Sequence, residues 1–158
     1  MSTTLPGLVE ALAAEPAIAE AVRRARLTGT AQATEALEVT APPALYPLLV
    51  AALAAPAGGD RPVLAVTATA REAEDLAASL ASLLPAHAAA EFPAWETLPH
   101  ERLSPSSDTV GRRLGVLRRL AHPSADDPSN GPLRVVVAPI RAVLQPVVKG
   151  LGDLEPVQ

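Results

Sequence analysis

The sequence contains no cysteine, a single lysine and three aromatic residues among its 158 positions, and each shortage limits what the protein can be. Without cysteine, neither disulfides nor thiolate metal sites can form. One Trp, one Phe and one Tyr offer almost no stacking surface for a module that binds single-stranded nucleic acid. The net charge of −4 argues against a chain that coats nucleic acid with its whole surface.

Long apolar runs are also missing. No stretch approaches the roughly 18 consecutive apolar residues of a membrane span. The N-terminal residues include Glu10 and no basic stretch, which is unlike a signal peptide. We therefore expect a cytoplasmic protein without a membrane partner. Hydrophobic residues make up 49% of the chain and many are alanine, so the predicted core is built from Leu, Val and Ala.

Helical and strand-like patterns alternate along the chain. Predicted helices lie at 5–14, from 16 onward, at 45–55, 69–85, 109–121 and 139–144, and predicted strands lie at 35–39, 62–66, 88–92 and 133–138. Four such alternations predict an α/β fold with a mostly parallel sheet and helices on both faces. The continuous apolar run at 62–66 predicts a strand buried on both faces. Thr69 and Glu72 have the spacing of a helix capping box.

The sequence offers no nucleotide site at the turn after the predicted first strand. A phosphate-binding loop there needs glycines and a lysine, whereas Thr40–Tyr46 contains two prolines and neither of those residues. The three histidines share no metal-ligand spacing with one another or with carboxylates. We therefore predict no catalytic, cofactor-binding or metal-binding residues in this chain. The histidines are His87, His100 and His122.

The stretch 92–108 contains the only Phe and the only Trp of the chain, together with several prolines. Proline disfavours helix, so we expect a rigid, extended connector that leads through the cap residues 106–108 into the helix at 109–121. Trp95 should be largely buried and should anchor this connector. Glu96 and Glu101 could form a carboxylate pair, but we expect them to accept hydrogen bonds from backbone amides instead.

The connector and its helix carry a resemblance to a known family. The string FPAWETLPHERLSPSSDTVGRRLGVLRRL resembles the signature of the N-terminal region of the bacterial transcription-repair coupling factor (Mfd), in a version typical of high-GC bacteria. The matching positions are Phe92, Pro93, Trp95, Glu96, Thr97, Leu98, Pro99, Ser104, Pro105 and Asp108.

That resemblance implies a UvrB-like lobe with a degenerate P-loop-NTPase-like fold that lacks the Walker A loop. It implies N-terminal helices at 1–34, an incomplete lobe at 35–150 and the start of a connection to a following small domain at 151–158. This piece would be a non-catalytic scaffold without a cofactor. In the family, ATP and Mg²⁺ act in a distant motor region. The partners there are RNA polymerase, UvrA, duplex DNA and other domains of the same protein. The alternative is a stand-alone nucleotide-dependent α/β enzyme with an atypical phosphate site.

The helix at 109–121 is rich in arginine. Its apolar spacing predicts an inner stripe made of Val110, Leu114, Leu117 and Ala121. Outside that stripe lies a possible interaction face made of Arg112, Arg113, Arg118 and Arg119. Such a face can simply be solvated, or it can contact DNA phosphates or acidic groups of another domain. Between the last two we favour the domain contact, and we expect negligible duplex DNA binding at physiological salt.

Overall fold

A computed structural model describes residues 6–27, 36–56, 61–96 and 104–154. Its α-helices are α1 Pro6–Ala13, α2 Pro16–Leu27, α3 Tyr46–Ala54, α4 Ala70–Leu83, α5 Ser107–Ala121 and α6 Ile140–Leu144. Its strands are β1 Val63–Thr67, β2 Ala89–Glu91 and β3 Val135–Pro139. The strands form one parallel sheet in the order β1-β3-β2. The predicted α/β class with a parallel sheet is confirmed.

The strand that comes last in the sequence lies in the middle of the sheet. β3 pairs with β1 from Val63↔Val135 onward and with β2 from Ala89↔Val135 onward. All five of its residues are buried, as expected for a continuous Val-rich run with helices on both faces. The steps β1→β2 and β2→β3 run in opposite directions across the sheet. Right-handed crossovers therefore place α4 and α5 on opposite faces.

Each face of the sheet has its own apolar core. On one face, Val135 and Val137 pack with buried residues of α1 to α4, including Ala73 and Leu80. On the other face, the smaller core consists of Phe92, Val116, Leu133, Val136, Ala138 and Ala142. The connector after β2 therefore contributes its phenylalanine to the α5 side of the sheet.

The predicted strand at 35–39 is wrong over the residues that the structure describes. Residues 36–40 have no regular secondary structure, and Leu37 and Val39 are exposed. Only three strands occur in the described part of the chain, not four. The alternating pattern there offers just two large apolar residues, which is too little buried surface to secure a place in the sheet. Glu35 lies outside the described residues.

The first observed strand is not buried on both faces. β1 lies at an edge of the sheet, and Leu64 and Val66 are 56% and 47% exposed. A continuous apolar run shows that a strand is apolar on both sides, but it does not show where the strand lies in the sheet. The expectation for 62–66 is therefore wrong in its burial and right in its strand assignment.

The predicted inner stripe of α5 is also wrong. The buried residues of this helix are Thr109, Arg113, Val116 and Arg119. Most are displaced by one position from the predicted stripe, which corresponds to a rotation of about 100°. The long aliphatic part of an arginine side chain can cover apolar surface, and in α5 Arg113 and Arg119 take inward positions.

No helix in the described residues is long and apolar enough to cross a membrane.

Candidate functional site

Glu96 joins the connector to the start of α5. Its carboxylate accepts hydrogen bonds from the Thr109 hydroxyl at 2.6 Å, the Ser106 hydroxyl at 2.7 Å and the Ser106 backbone N–H at 3.1 Å. These donors, the Thr109 hydroxyl first, lower the pKa of Glu96 from 4.5 to about 2. Ser106 is also the N-cap of α5, since its hydroxyl accepts from the Thr109 N–H. The predicted cap is confirmed, and Glu96 accepts a backbone N–H as predicted, but its two shorter hydrogen bonds come from hydroxyls.

The rest of the signature is only partly described. Thr97, Leu98, Pro99 and Glu101 lie outside the described residues. Pro93 is buried, while Ser104 and Pro105 precede the cap. Asp108 lies in the first turn of α5, where a negative charge is favourable.

Arg113 contacts three of the described signature residues, Phe92, Pro93 and Trp95. Its guanidinium lies 4.0 Å from the centre of the Phe92 ring and 4.2 Å from that of the Trp95 ring. Its Nη1 donates to the Pro93 carbonyl at 2.6 Å, and the residue is only 2% exposed. Its Nη2 is buried without an acceptor among the described residues, and burial lowers the pKa of the guanidinium. The connector thus folds around a buried cation held between two aromatic rings.

Trp95 is partly buried, neither fully enclosed nor exposed, which is compatible with the predicted anchoring role. Its anchoring comes from specific contacts. The ring stacks on Arg113, and the backbone N–H donates to Gln145 Oε1 at 2.7 Å. Gln145 Nε2 in turn donates to the Trp95 carbonyl at 3.3 Å. No local sequence pattern points to Gln145, because it lies 50 positions away and beyond α6.

The other three arginines of the predicted face also make contacts within the chain. Arg119 is 9% exposed and donates to the carbonyls of Gly131 and His87, and burial lowers its pKa. Arg112 pairs with Glu91 at 2.5 Å and with Asp108 at 3.8 Å. Arg118 donates to the Leu154 carbonyl at 2.8 Å. The four arginines therefore do not form one continuous surface, since Arg113 and Arg119 lie inside the fold.

Backbone amides in the turn after β1 are hydrogen-bonded to a carboxylate of the following helix, α4. At the start of α4, Glu72 Oε2 accepts from the N–H groups of Ala68 and Thr69 at 3.0 and 3.1 Å. The Thr69 hydroxyl accepts from the Glu72 N–H, so the predicted capping box is confirmed. A nucleotide phosphate would need such amides to be free. The turn at 40–46 instead forms a short 3₁₀ turn, Pro43–Leu45, that leads into α3.

The histidines are dispersed. His122 contacts Asp153 at 2.7 Å, while His87 adopts a left-handed backbone conformation, with φ 62°. His100 lies outside the described residues. Within the described ranges, no group of three or more His, Asp or Glu side chains is placed to hold a metal ion.

The chain matches no model of a known protein family. It is 46% identical over 155 residues to the transcription-repair-coupling factors of Mycobacterium bovis and Mycobacterium tuberculosis. The alignment covers 98% of this chain and 12% of each relative, so the chain spans about an eighth of their length. Over nearly its whole length, the chain is therefore related to one segment of the transcription-repair-coupling factor family.

Proposed function

We propose that this chain is a non-catalytic scaffold segment within a cytoplasmic transcription-repair-coupling factor. The observation that carries this proposal is the turn after β1. There the Glu72 carboxylate already binds the two backbone amides at the start of α4. This is the position where open α/β sheets commonly bind phosphate groups. A self-capped helix start, without a glycine-rich loop or a nearby lysine, supports a structural role.

The connector provides the scaffold's rigidity in this proposal. Glu96 fixes one end of the connector to the α5 cap, and Arg113 fixes Phe92 and Trp95 against the same helix. Gln145 adds a third attachment, to the segment after α6. Elements on both sides of the connector are thus held together, as a support for neighbouring domains requires.

The partner of this segment is, in our proposal, the remainder of its own polypeptide. Nucleotide-driven movement on duplex DNA, contact with RNA polymerase and recruitment of UvrA belong to other regions of the full-length protein. Of the four arginines of α5, only Arg112 and Arg118 retain substantial exposure, and each already has a partner within the chain. This arrangement leaves little unpaired positive charge on α5 for DNA phosphates, and the net charge of the whole chain is −4.

The experiment is a pair of titrations on the 158-residue chain. Isothermal calorimetry with ATP and Mg²⁺ is expected to give no binding heat, and fluorescence anisotropy with labelled duplex DNA is expected to give no binding at about 0.15 M salt. The Glu72→Ala variant, which frees the two amides, serves as a control and should still bind no ATP. Micromolar affinity of the parent chain for ATP would contradict the proposal and favour the stand-alone enzyme.

A further inference from the structure

One face of β1 is apolar and open to solvent. The register places Leu64 beside Val136 and Val66 beside Ala138, so these four side chains share a face of the sheet. On β3 that face is buried, whereas on β1 Leu64 and Val66 are 56% and 47% exposed. The helical layer on this side therefore covers the middle of the sheet and leaves its β1 edge open.

The open face of β1 continues into a groove of about 200 Å³. Leu117 and Leu120 of α5 form one wall, Val143 of α6 and Val147 form another, and Leu64 lies at the edge. All of its lining residues are apolar. Leu120, Val143 and Val147 are themselves 42–45% exposed. A contiguous apolar surface of this kind is unfavourable in water and marks a place where another element packs.

The architecture indicates what that element is. Parallel strands are buried on both faces, because their crossover helices cover the sheet on both sides. The opposite face of β1 obeys this rule, since α3 and α4 pack on it. Among the described residues, α6 contacts β1 from one wall of the groove, and no helix covers this face of the strand fully.

We propose that this groove, named here the β1 groove, binds an amphipathic helix from a region of the full-length polypeptide outside this chain. The helix carries a stripe of Leu, Val or Ala that packs on Leu64, Val66 and Leu120. The source has ample length, because the relatives are about eight times as long as the region that matches this chain. The proposal rests on the proposed function only in taking this chain to be a segment of such a longer protein.

A second copy of the chain is a poor occupant of the β1 groove. Apart from α6, which lines the groove, no described helix exposes more than one large apolar residue. Leu8 of α1 and Tyr46 of α3 are single residues, and α2 and α4 expose none. The described part of the chain therefore has no spare apolar helix face to insert into the groove of its neighbour.

The absence of cysteine from this chain allows a direct test. Leu64→Cys in the groove and Leu8→Cys on α1, which is 48% exposed, are introduced singly into both the 158-residue chain and the full-length protein. The rate of alkylation by iodoacetamide at each position is measured by peptide mass spectrometry. In the full-length protein, Leu64→Cys should react at least about tenfold more slowly than Leu8→Cys, because the packed helix must first open. In the 158-residue chain the two rates should be similar.

Equal rates in the full-length protein would overturn the proposal. Protection of Leu64→Cys in the 158-residue chain would also overturn the proposal. Protection that rises with protein concentration would identify a second copy as the occupant. Protection that is independent of concentration would identify a segment of this chain. The labelling uses no nucleotide. Failure of this inference therefore does not affect the calorimetric test of the non-catalytic role. Failure of the calorimetric test likewise does not affect the labelling result.

Discussion

Arg113→Ala tests whether the buried guanidinium holds the connector in place. The substitution removes two ring contacts, each worth about 0.5–2 kcal/mol, and the hydrogen bond to the Pro93 carbonyl. It also leaves a cavity between Phe92 and Trp95, while it relieves the cost of burying a charge whose Nη2 has no acceptor among the described residues. On balance we expect the free energy of unfolding to fall by about 2–4 kcal/mol.

Arg113→Met separates packing from charge. Methionine fills most of the same volume without a buried charge, so the loss should be no more than about 1 kcal/mol. Arg112→Met is the control on the same helix, because the Arg112 pair with Glu91 is partly exposed and should contribute less than about 1 kcal/mol. Urea unfolding followed by the fluorescence of Trp95, the only tryptophan, reports on the stack itself. If Arg113→Ala unfolds at the same urea concentration as the parent, the guanidinium does not organise the connector.

Three further predictions concern the same region and its neighbours. The pKa of Glu96 is lowered from 4.5 to about 2, so its stabilising effect is complete above about pH 4.5 and is lost as the pH falls toward 2. The melting temperature of Glu96→Gln should therefore decline less over this interval than that of the parent. An equal decline would contradict the role of Glu96. Gly152→Ala places a Cβ 3.0 Å from the Leu117 carbonyl oxygen and should lower stability by about 1–3 kcal/mol, whereas Gly111→Ala on open α5 surface should raise it by about 0.5–1 kcal/mol, both measured by urea unfolding. A Gly152→Ala variant as stable as the parent would show that the 150–154 turn does not pack tightly on α5. Thr69→Ala removes the α4 cap and should cost about 0.5–2 kcal/mol, and an unchanged melting curve would show that the capping box contributes nothing.

The elements with local signals were predictable. Thr69 and Glu72 fix the start of α4 by side chains three residues apart, and Ser106 does the same for α5. The apolar run that forms β3 needs no distant information to be recognised as a strand. In each of these cases the determining contacts lie within one turn of helix or within one strand.

Long-range arrangements were not predictable from such patterns. The exposure of Leu64 depends on the strand order, which places β1 at an edge of the sheet. The orientation of α5 depends on Phe92 and Trp95, whose rings make an inward arginine favourable. A hydrophobicity pattern treats arginine as a surface residue, so the buried face that it predicts for α5 is displaced by about one position. The Gln145–Trp95 contact joins residues 50 positions apart and has no local signature.

The central position of β3 has a consequence for synthesis on the ribosome. Both pairings of the sheet wait for this strand, because β1 and β2 are each hydrogen-bonded to β3 and not to one another. Val63 and its partner Val135 are separated by about 70 residues, which at about 5–20 residues per second takes several seconds to translate. During that interval β1, and then β2, are made without β3, the strand with which both pair among the described residues, and their apolar side chains are available to chaperones. The emergence of residues 135–139 is then the event that commits the nascent chain to its sheet.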